Sequence, residues 1–377
     1  MQKRTNTGNK LTELIFRIIL PVLLAAILFG SGGLPSTARR LLFVSTALTF
    51  PAETAAIIKR DNETTTPSKE ILVSENTVAA GNSDAAEVSS IKSPIPSDIL
   101  KLVADAEKKY ASSSKDGVIE EADYSGKNAT SVYDGIYVRN TTKNHSVDIE
   151  KYLSKQVWAN ISKDEPSVLI YHTHTTETYE LLDRGFYTNE RSSRSENAGE
   201  NMVRIGEEIC KILEQNGYKT IHDKNIYDEQ LSGAYDRSRA AVSQIIKDNP
   251  SIQVVIDIHR DSIYQKDGTR IKPVTTINGK KTAQIMIISG CEDGNVTDFP
   301  NWEKNLTFAL KMQQKLSKDN PTLMRPLMFC SRKYNLDLMP CAMYVEFGSD
   351  ANTLTEAVLA AQLFAQSLSE MLKEYEA

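Results

Sequence analysis

The chain has few cysteines, and they show no metal-binding pattern. Only four occur in 377 residues, and they are too far apart for a CxxC zinc motif. A disulfide scaffold is unnecessary with so few, although Cys330 and Cys341 could pair across a hairpin. The cysteines therefore give no indication of function.

A strong net charge and two common catalytic motifs are also missing. The chain carries 44 Lys and Arg residues against 49 Asp and Glu residues, a formal net charge of −5, so no general affinity for nucleic acid is expected. There is no GxSxG nucleophile motif and no glycine-rich phosphate loop. These absences argue against a serine hydrolase of that type and against a phosphate-binding loop.

Long hydrophobic stretches are scarce outside the amino terminus. Three basic residues among the first ten precede an apolar stretch at residues 11–33 that contains Arg17. A basic segment followed by an apolar one is typical of a signal peptide or signal anchor. Cleavage after Ala38 is the alternative, but the two arginines that follow disfavour it. We predict that residues 1–40 are a retained single-pass anchor in the cell membrane, with the rest of the chain extracytoplasmic.

The composition changes after this segment. Residues 59–97 are rich in Thr, Ser, Asn, Glu and Pro and contain few aromatic residues. Such a segment cannot bury enough apolar surface to offset the entropy lost on ordering. We therefore expect a disordered extracytoplasmic tether over residues 41–124 and a folded domain over residues 125–377.

Strand and helix patterns alternate through the folded part. Apolar runs predict buried strands that end near His172 and His259, and Asn278-Gly279 predicts a hairpin. Helical spacing is found at residues 197–216, 232–248, 301–317 and 354–375. The sequence predicts an α/β fold with a mostly parallel sheet flanked by helices.

Histidines and one carboxylate follow three of these strands. His172 and His174 follow VLIY, His259 ends IDIH, and Glu346 ends AMYVE. The carboxyl ends of strands in open α/β sheets are where ligands bind. Zinc in catalytic sites favours two imidazoles with a carboxylate or thiolate and keeps one position open for water. The pattern indicates a zinc-assisted hydrolase.

The motifs VLIYHTHTTETY, IDIHRD and VEFGSDAN, in this order behind an amino-terminal anchor, resemble the stage II sporulation protein P family. That family belongs with the zinc-dependent N-acetylmuramoyl-L-alanine amidases. The resemblance covers roughly residues 125–377 and implies a zinc amidase-like fold. It also implies zinc ligands at His174, at a glutamate near the start of the next helix, and at His259, with Glu346 as the catalytic carboxylate.

Two of these assignments leave alternatives. His172 competes with His174 as the first ligand, because the usual glycine-rich turn is replaced by THTTE. The helix-start glutamate is Glu196 or Glu200, and a helical wheel favours Glu196 because it lies at the margin of the apolar face. Glu177 is a third candidate, which we interpret as a loop carboxylate that holds a backbone turn.

The resemblance implies a peptidoglycan hydrolase that cleaves the amide between N-acetylmuramic acid and L-alanine. It also implies endopeptidase action on peptide cross-links, work at the engulfing septum of a spore-forming cell, and stage II sporulation proteins D and M as partners. Arg260, beside His259, could bind a substrate carboxylate or form an internal ion pair. A zinc carboxypeptidase acting on stem peptides and a non-catalytic wall-binding module are the alternative functions.

Overall fold

The computed structural model describes residues 94–377, in which helices and strands alternate along the chain. The helices are α1 (Ser97–Lys109), α2 (Ile149–Leu153), α3 (Met202–Gln215), α4 (Ala234–Asp248), α5 (Trp302–Asp319) and α6 (Leu354–Lys373), with a short 3-10 helix at Leu336–Leu338. The first six strands are β1 (Gly117–Ala122), β2 (Ser131–Tyr133), β3 (Ile136–Asn140), β4 (Val168–Tyr171), β5 (Phe186–Tyr187) and β6 (Thr220–His222). The other six are β7 (Val254–Asp261), β8 (Arg270–Ile277), β9 (Lys280–Ala283), β10 (Ile285–Gly290), β11 (Leu327–Cys330) and β12 (Ala342–Ser349).

The ordered structure begins before residue 125. Part of the predicted tether forms α1 and β1, and Ile99 and Ile119 from these elements are buried. The predicted anchor at residues 1–40 and most of the predicted tether lie outside the described residues. Among residues 94–377, no helix is long and apolar enough to cross a membrane.

Within residues 94–377 the strands form two sheets, and both are mixed. The larger sheet has the order β2-β3-β11-β10-β12-β7-β4-β6, with antiparallel pairing at β2-β3 and β10-β12 and parallel pairing elsewhere. The smaller sheet, β5-β1-β8-β9, contains a single parallel pair, β1-β8. The prediction of an α/β fold is confirmed, but the prediction of a mostly parallel sheet is wrong.

The predicted hairpin explains part of this difference. Asn278 and Gly279 both have positive φ, at 52° and 76°, as a two-residue hairpin turn of this kind requires. The chain after the turn forms two strands that are separated at Gln284. Its first half, β9, pairs with β8, whereas its second half, β10, enters the larger sheet antiparallel to β12.

Helices cover both faces of the larger sheet. Along β4 the side chains alternate between two cores, with Val168 and Ile170 in one and Leu169 and Tyr171 in the other. The first core also contains apolar residues of α3, α5 and α6, and the second contains Val242 of α4. Because both faces are covered, every residue of β4 and β12 is buried, which explains their nearly continuous apolar sequences.

The strands that carry the predicted site residues are neighbours. β7 lies between β4 and β12 and is parallel to both. Tyr171 is in register with Asp257, and Glu346 is in register with His259. The carboxyl ends of these three strands therefore meet at one edge of the sheet.

Candidate metal centre

Two histidines and a glutamate meet at this edge. One ligand atom from each of His174, Glu177 and His259 lies within 4.8 Å of the others. Glu177 Oε1 is 3.5 Å from His174 Nδ1, and Glu177 Oε2 is 3.6 Å from His259 Nδ1. The structure thus brings together both histidines that were predicted as ligands.

A tight turn after β4 positions His174 and Glu177 on the same side. The amide of Glu177 donates to the carbonyl of His174, which closes the turn. The hydroxyl of Thr175 donates to the carbonyls of His172 and Asn225 and fixes the turn from within. The run of threonines that replaces a glycine-rich turn in this sequence therefore serves to fold the loop around the site.

His259 is fully buried, and neither of its ring nitrogens forms a hydrogen bond within the described residues. Its ring stacks on Tyr344, with centroids 4.1 Å apart and planes 9° apart. Nε2 lies 2.8 Å from Asp257 Oδ1, although not in hydrogen-bond geometry, and Asp257 itself accepts from the amide and hydroxyl of Thr173. Nδ1 is buried and forms no hydrogen bond within the described part of the chain. A buried ring nitrogen of this kind, directed at a carboxylate, is expected where a cation binds.

The charges of His259 and Glu177 stabilise each other. Burial alone would lower the pKa of His259, but the negative charges of Asp257 and Glu177 raise it to about 10. Burial alone would raise the pKa of Glu177, but contacts with His174 and His259 hold it well below its usual range. A protonated imidazole beside an ionised carboxylate is an arrangement in which a metal cation can replace the proton.

The donor set fits zinc. Two imidazoles and one carboxylate form a set found in catalytic zinc sites. Tetrahedral zinc with ligands at about 2.0–2.1 Å holds neighbouring ligand atoms about 3.3 Å apart. The distances of 3.5 and 3.6 Å join different oxygens of Glu177 to the two histidines, and one ligand atom from each residue lies within 4.8 Å of the others, so the group approaches this spacing without meeting it throughout. Asp257 lies behind His259, as expected of a carboxylate that orients a metal-binding imidazole.

Glu346 lies next to this group on β12. It is in register with His259, is only 6% exposed, and its Oε2 has no hydrogen-bond partner within the described residues. Burial and then the negative charge of Asp261 raise its pKa to about 8, against the smaller opposing effect of His259. The predicted catalytic carboxylate is therefore placed beside the candidate metal ligands, with a pKa near neutral.

Glu196, the predicted third ligand, lies elsewhere. It is exposed in a turn before α3 and is outside the group of ligand atoms. The helical wheel failed because α3 begins only at Met202, capped by Asn201, so residue 196 is not helical. Glu200 instead forms an ion pair with Arg191. Glu177, interpreted from sequence as a loop carboxylate, occupies the position that was predicted for Glu196.

His172, the alternative to His174, faces away from the candidate ligands. It is fully buried, and its Nε2 lies 2.9 Å from Nε2 of His222. Its Nδ1 lies 3.3 Å from the carbonyl of Ile258, the residue before His259. Burial lowers the pKa of His222 to about 4, so this pair is uncharged at neutral pH.

Arg260 is hydrogen-bonded within the protein. It is 5% exposed and donates to the carbonyls of Thr178 and Ser193 and to the hydroxyl of Ser262. These bonds tie β7 to the loop that contains Glu177. These bonds give Arg260 a positioning role, and its predicted contact with a substrate carboxylate stays a prediction.

Two residues that sequence patterns did not indicate also hold this loop. The fully buried Asp228 accepts from the amide of Thr176 at 3.1 Å and from its hydroxyl at 2.7 Å. Arg194 pairs with Asp228 through Nη1, and its Nη2 lies 3.5 Å from Glu177 Oε1. Neither residue belongs to a motif, because segments far apart in the sequence bring them together only in the folded chain.

Tyrosines form one wall beside the two histidines. Tyr235 meets the ring of His174 edge to face at 5.6 Å, and Tyr334 lies between Tyr235 and Tyr344. Burial raises the pKa of Tyr235 and Tyr344 well above their usual value, so their hydroxyls remain protonated. This wall can donate hydrogen bonds and can exclude water from one side of the site.

Sequence comparison identifies a family. The model of the stage II sporulation protein P family matches residues 61–369. Stage II sporulation protein P of Bacillus subtilis (strain 168) is 31% identical over 220 residues, which cover 55% of this chain and 51% of the relative. The chain thus spans about half the length of the curated relative that it matches.

Solved structures with a related arrangement are amidases of low sequence identity. An N-acetylmuramoyl-L-alanine amidase of Nostoc punctiforme is 11% identical, with a TM-score of 0.33 over 57% of this chain and 99% of the amidase. An amidase of Mycobacterium smegmatis is 12% identical, with a TM-score of 0.32 over 58% and 98%. The catalytic domain of an amidase of Paenibacillus polymyxa is 14% identical, with a TM-score of 0.33 over 55% and 98%. Scores this low carry no conclusion about activity.

Proposed function

The chain belongs to the stage II sporulation protein P family, and from this premise we propose that it is a zinc-dependent peptidoglycan hydrolase. The observation that carries the proposal is the group formed by His174, Glu177 and His259, with the buried Glu346 beside it. These residues supply a metal-binding set and a separate proton-transfer group at one edge of the sheet.

Zinc would be held by His174, Glu177 and His259, with Asp257 orienting the ring of His259. Bound there, the metal supplies a Lewis acid that polarises the scissile carbonyl and lowers the pKa of a water molecule. Asp228 and Arg194 keep Glu177 in place from the other side. The buried site and its tyrosine wall limit the access of competing water.

Glu346 is the proton carrier of the proposed reaction. Its Oε2 is buried without a hydrogen-bond partner in the described structure, so it is available to a reacting group. As a carboxylate it accepts a proton from the attacking water, and as an acid it donates one to the leaving amide nitrogen. In the metal-free protein its pKa is raised to about 8, and a zinc cation beside it would lower this pKa towards neutrality, which suits both roles.

The bond that we propose is cleaved is the amide between N-acetylmuramic acid and L-alanine. Support comes from the family, whose resemblance to the zinc amidases was carried by the motifs around His174, His259 and Glu346. Endopeptidase action on peptide cross-links is a further part of the proposal that rests on the same resemblance. The match covers only about half of the Bacillus relative, so both activities are proposals for this chain.

The location and partners are proposed from the sequence and the family. The basic and apolar residues within positions 1–40 support a membrane anchor, with the hydrolase on the extracytoplasmic side at the engulfing septum. Stage II sporulation proteins D and M are the proposed partners. Pull-down of the full chain from sporulating cells, with detection of D and M, tests this part separately.

Digestion of purified peptidoglycan by the zinc-loaded full chain tests the reaction. Mass analysis should find free stem peptides that begin with L-alanine and glycan without peptides, and chelation of the metal should abolish both. Shortened stem peptides that remain attached to glycan would instead indicate a carboxypeptidase. Intact peptidoglycan together with no stoichiometric zinc would indicate a binding module.

A further inference from the structure

Five aromatic rings form a closed circuit at the candidate metal centre. The rings of His174 and His259 have centroids 5.1 Å apart, and the ring of His259 stacks on Tyr344 at 4.1 Å. Tyr334 lies 5.0 Å from Tyr344 and 5.5 Å from Tyr235. Tyr235 closes the circuit by meeting His174 at 5.6 Å. Tyr344 is buried, whereas Tyr235 and Tyr334 are partly exposed, so a substrate at the metal centre can reach these two rings.

The loop that carries Tyr334 has an unusual backbone. Tyr334 and Asn335 both have positive φ, at 49° and 58°, which is uncommon outside glycine and more so for a bulky residue. The carboxamide of Asn335 donates to the carbonyl of Tyr235, which joins the segments of the two tyrosines. Arg239 fixes the same loop through two hydrogen bonds to Asp337. Strained backbone persists only where its surroundings enforce it, and it is concentrated at functional sites, so the placement of Tyr334 points to a role in binding.

The substrate of the proposed reaction has a sugar ring close to the bond that is cleaved. In N-acetylmuramic acid, one carbon and one oxygen join the lactyl carbonyl carbon to the sugar ring, a path of about 4 Å at ordinary bond lengths. With this carbonyl at the candidate metal centre, the sugar must contact residues that border the ligands. One border is charged, because Arg194 and Asp228 lie behind Glu177. The other border consists of the partly exposed tyrosine rings.

The tyrosine border is uncharged and suits a sugar. Burial, more than the nearby charges, raises the pKa of Tyr334 to about 12, so its ring is neutral at neutral pH. The face of an aromatic ring carries the negative part of its quadrupole. The C–H bonds of a sugar are polarised by the neighbouring oxygens, so their hydrogens are attracted to that face. The sugar and tyrosine hydroxyls can also exchange hydrogen bonds at the edge of the rings.

We propose that Tyr334, with Tyr235 beside it, stacks on the sugar ring of N-acetylmuramic acid and determines the specificity of the site for the glycan side of the amide. The inference rests on the proposed peptidoglycan hydrolysis and specifies which part of the substrate binds beside the tyrosines. Substrates that carry the sugar are preferred over substrates with the same scissile amide and no sugar, and the ring of Tyr334 is the source of this preference.

Two substrates that differ only in the sugar test the preference. N-acetylmuramoyl-L-alanyl-D-isoglutamine and the corresponding D-lactyl dipeptide have the same scissile amide. Using the zinc-loaded full chain in detergent, we expect kcat/KM to be at least about ten-fold higher for the muramyl compound. Equal values for the two compounds would overturn the proposal and leave the proposed hydrolysis standing.

Variants of Tyr334 test whether its ring is the cause. Tyr334 is a better position than Tyr235, because Tyr235 contacts the candidate ligand His174. Tyr334→Leu removes the ring and should raise KM about ten-fold for the muramyl compound, with no change for the lactyl compound or in zinc content. Tyr334→Phe keeps the ring and should keep the preference. Tyr133→Leu, at a 39% exposed position on β2, is the matched control and should behave as the wild type. Equal losses in Tyr334→Phe and Tyr334→Leu would refute stacking on the ring.

A binding measurement gives a second arm that does not depend on turnover. The methyl glycoside of N-acetylmuramic acid has no scissile amide, so isothermal titration with it measures binding of the sugar alone. Tyr334→Leu should bind the glycoside about ten-fold more weakly than the wild type, and Tyr334→Phe should bind it nearly as well. Equal affinities of the wild type and Tyr334→Leu contradict the sugar site. Binding that depends on the ring, without hydrolysis of either dipeptide, would contradict the proposed reaction and leave this site standing.

Discussion

Glu346 is a carboxylate in an unfavourable place for a purely structural residue. One of its oxygens is buried without a hydrogen bond in the described structure, and its pKa is raised to about 8 by burial and by Asp261. Leaving a buried polar atom unsatisfied costs on the order of 1–3 kcal/mol. A residue that costs stability beside a candidate metal site is best explained by a role in the reaction.

Replacing Glu346 by glutamine separates the reaction from metal binding. Glu346→Gln is nearly isosteric and removes the proton-transfer group, so we expect activity on peptidoglycan to fall by about 10²–10⁴. Zinc content should stay at the wild-type level, because Glu346 is outside the three ligands. Metal analysis and turnover measured on the same preparation check this, and loss of zinc would make Glu346 a ligand.

In the metal-free protein, Glu346 also makes the free energy of unfolding depend on pH, and Glu346→Gln tests this. Unfolding lowers the pKa of Glu346 from about 8 to its ordinary value of 4.5. Between these pH values the folded state binds the proton and the unfolded state does not, so the wild type loses stability as pH rises through this window. Glu346→Gln avoids this loss and should be more stable than the wild type by about 2–4 kcal/mol at pH 8. Urea unfolding at pH 5 and pH 8 measures it, and a difference between the two proteins that does not change with pH would contradict it.

Glu177 and Glu196 are distinguished by metal content. Glu177→Gln removes the carboxylate that contacts both histidines, and we expect zinc affinity to fall at least about 100-fold. Glu196→Gln is the matched control, because Glu196 is exposed and outside the group. Competition with a zinc-binding dye gives both affinities. The reverse order would restore the sequence-based assignment.

The histidines could be predicted from sequence, whereas Glu177 could not be singled out. His174 and His259 follow apolar strands, and strand ends converge by the rules of α/β sheets. Glu177 reaches the site through the turn closed by its amide and the carbonyl of His174, a geometry set by Asp228 from another segment. Such long-range bonds leave no local pattern, so three glutamates remained in competition.

At the scale of elements, α3 supports the site through a glycine. A Cβ on Gly206 would lie 2.5 Å from Nε2 of His222 and 2.8 Å from Nε2 of His172. These rings are packed against each other and hold the segment before His259 through the carbonyl of Ile258. The absence of a side chain at position 206 lets α3 approach the sheet closely enough to bury this pair.

Gly206→Ala tests that close approach. Helix propensity alone would stabilise the variant by about 1 kcal/mol. The clash with two packed imidazoles should outweigh this gain and destabilise the protein by about 1–3 kcal/mol. Lys211→Ala, at an exposed position of the same helix, should change stability by less than about 0.5 kcal/mol. Chemical denaturation of both variants measures the difference, and a Gly206→Ala protein as stable as the wild type would show that the rings can move aside.

Element types were easier to predict than element ends. The four helices after residue 197 were found by their apolar spacing, because that spacing reflects the face each helix buries. The start of α3 was misplaced by five residues or more, since the residues before Met202 fold as a turn around Asn197 and Ser195. Because the helix was predicted to begin too early, Glu196 was placed at its start and was selected as a ligand.

At the scale of the whole molecule, the smaller sheet was not anticipated. Its strands β1 and β5 are short and partly exposed, with no run of apolar residues that a pattern could detect. These two strands pair with each other, and β1 also pairs with β8. A sheet assembled from segments this distant in sequence depends on tertiary contacts that strand propensity does not report.

Lys272 joins this smaller sheet to the rest of the protein. It lies on β8, is 1% exposed, and its Nζ is within 3.0 Å of carboxylates of Glu356 at the start of α6, Asp183 in the loop before β5, and Glu121 on β1. Glu356 also belongs to the capping box of α6. One buried ammonium therefore links two strands of the smaller sheet, the loop before β5 and the start of α6.

Lys272→Met keeps the length of the side chain but removes the charge, and Glu356 is then left as a buried carboxylate without its cation. Breaking a buried ion pair from one side costs about 3–5 kcal/mol, so we expect a loss of that size in the free energy of unfolding. Lys281→Met is a closely matched control, because Lys281 contacts the same Asp183 and Glu121 but is 46% exposed, and exposed pairs contribute about 0–1 kcal/mol. Urea unfolding of the zinc-loaded proteins measures both changes, with zinc content as a check that the metal site is intact. Equal losses in the two variants would mean that burial of Lys272 adds nothing, and that the smaller sheet is held by its strand pairing alone.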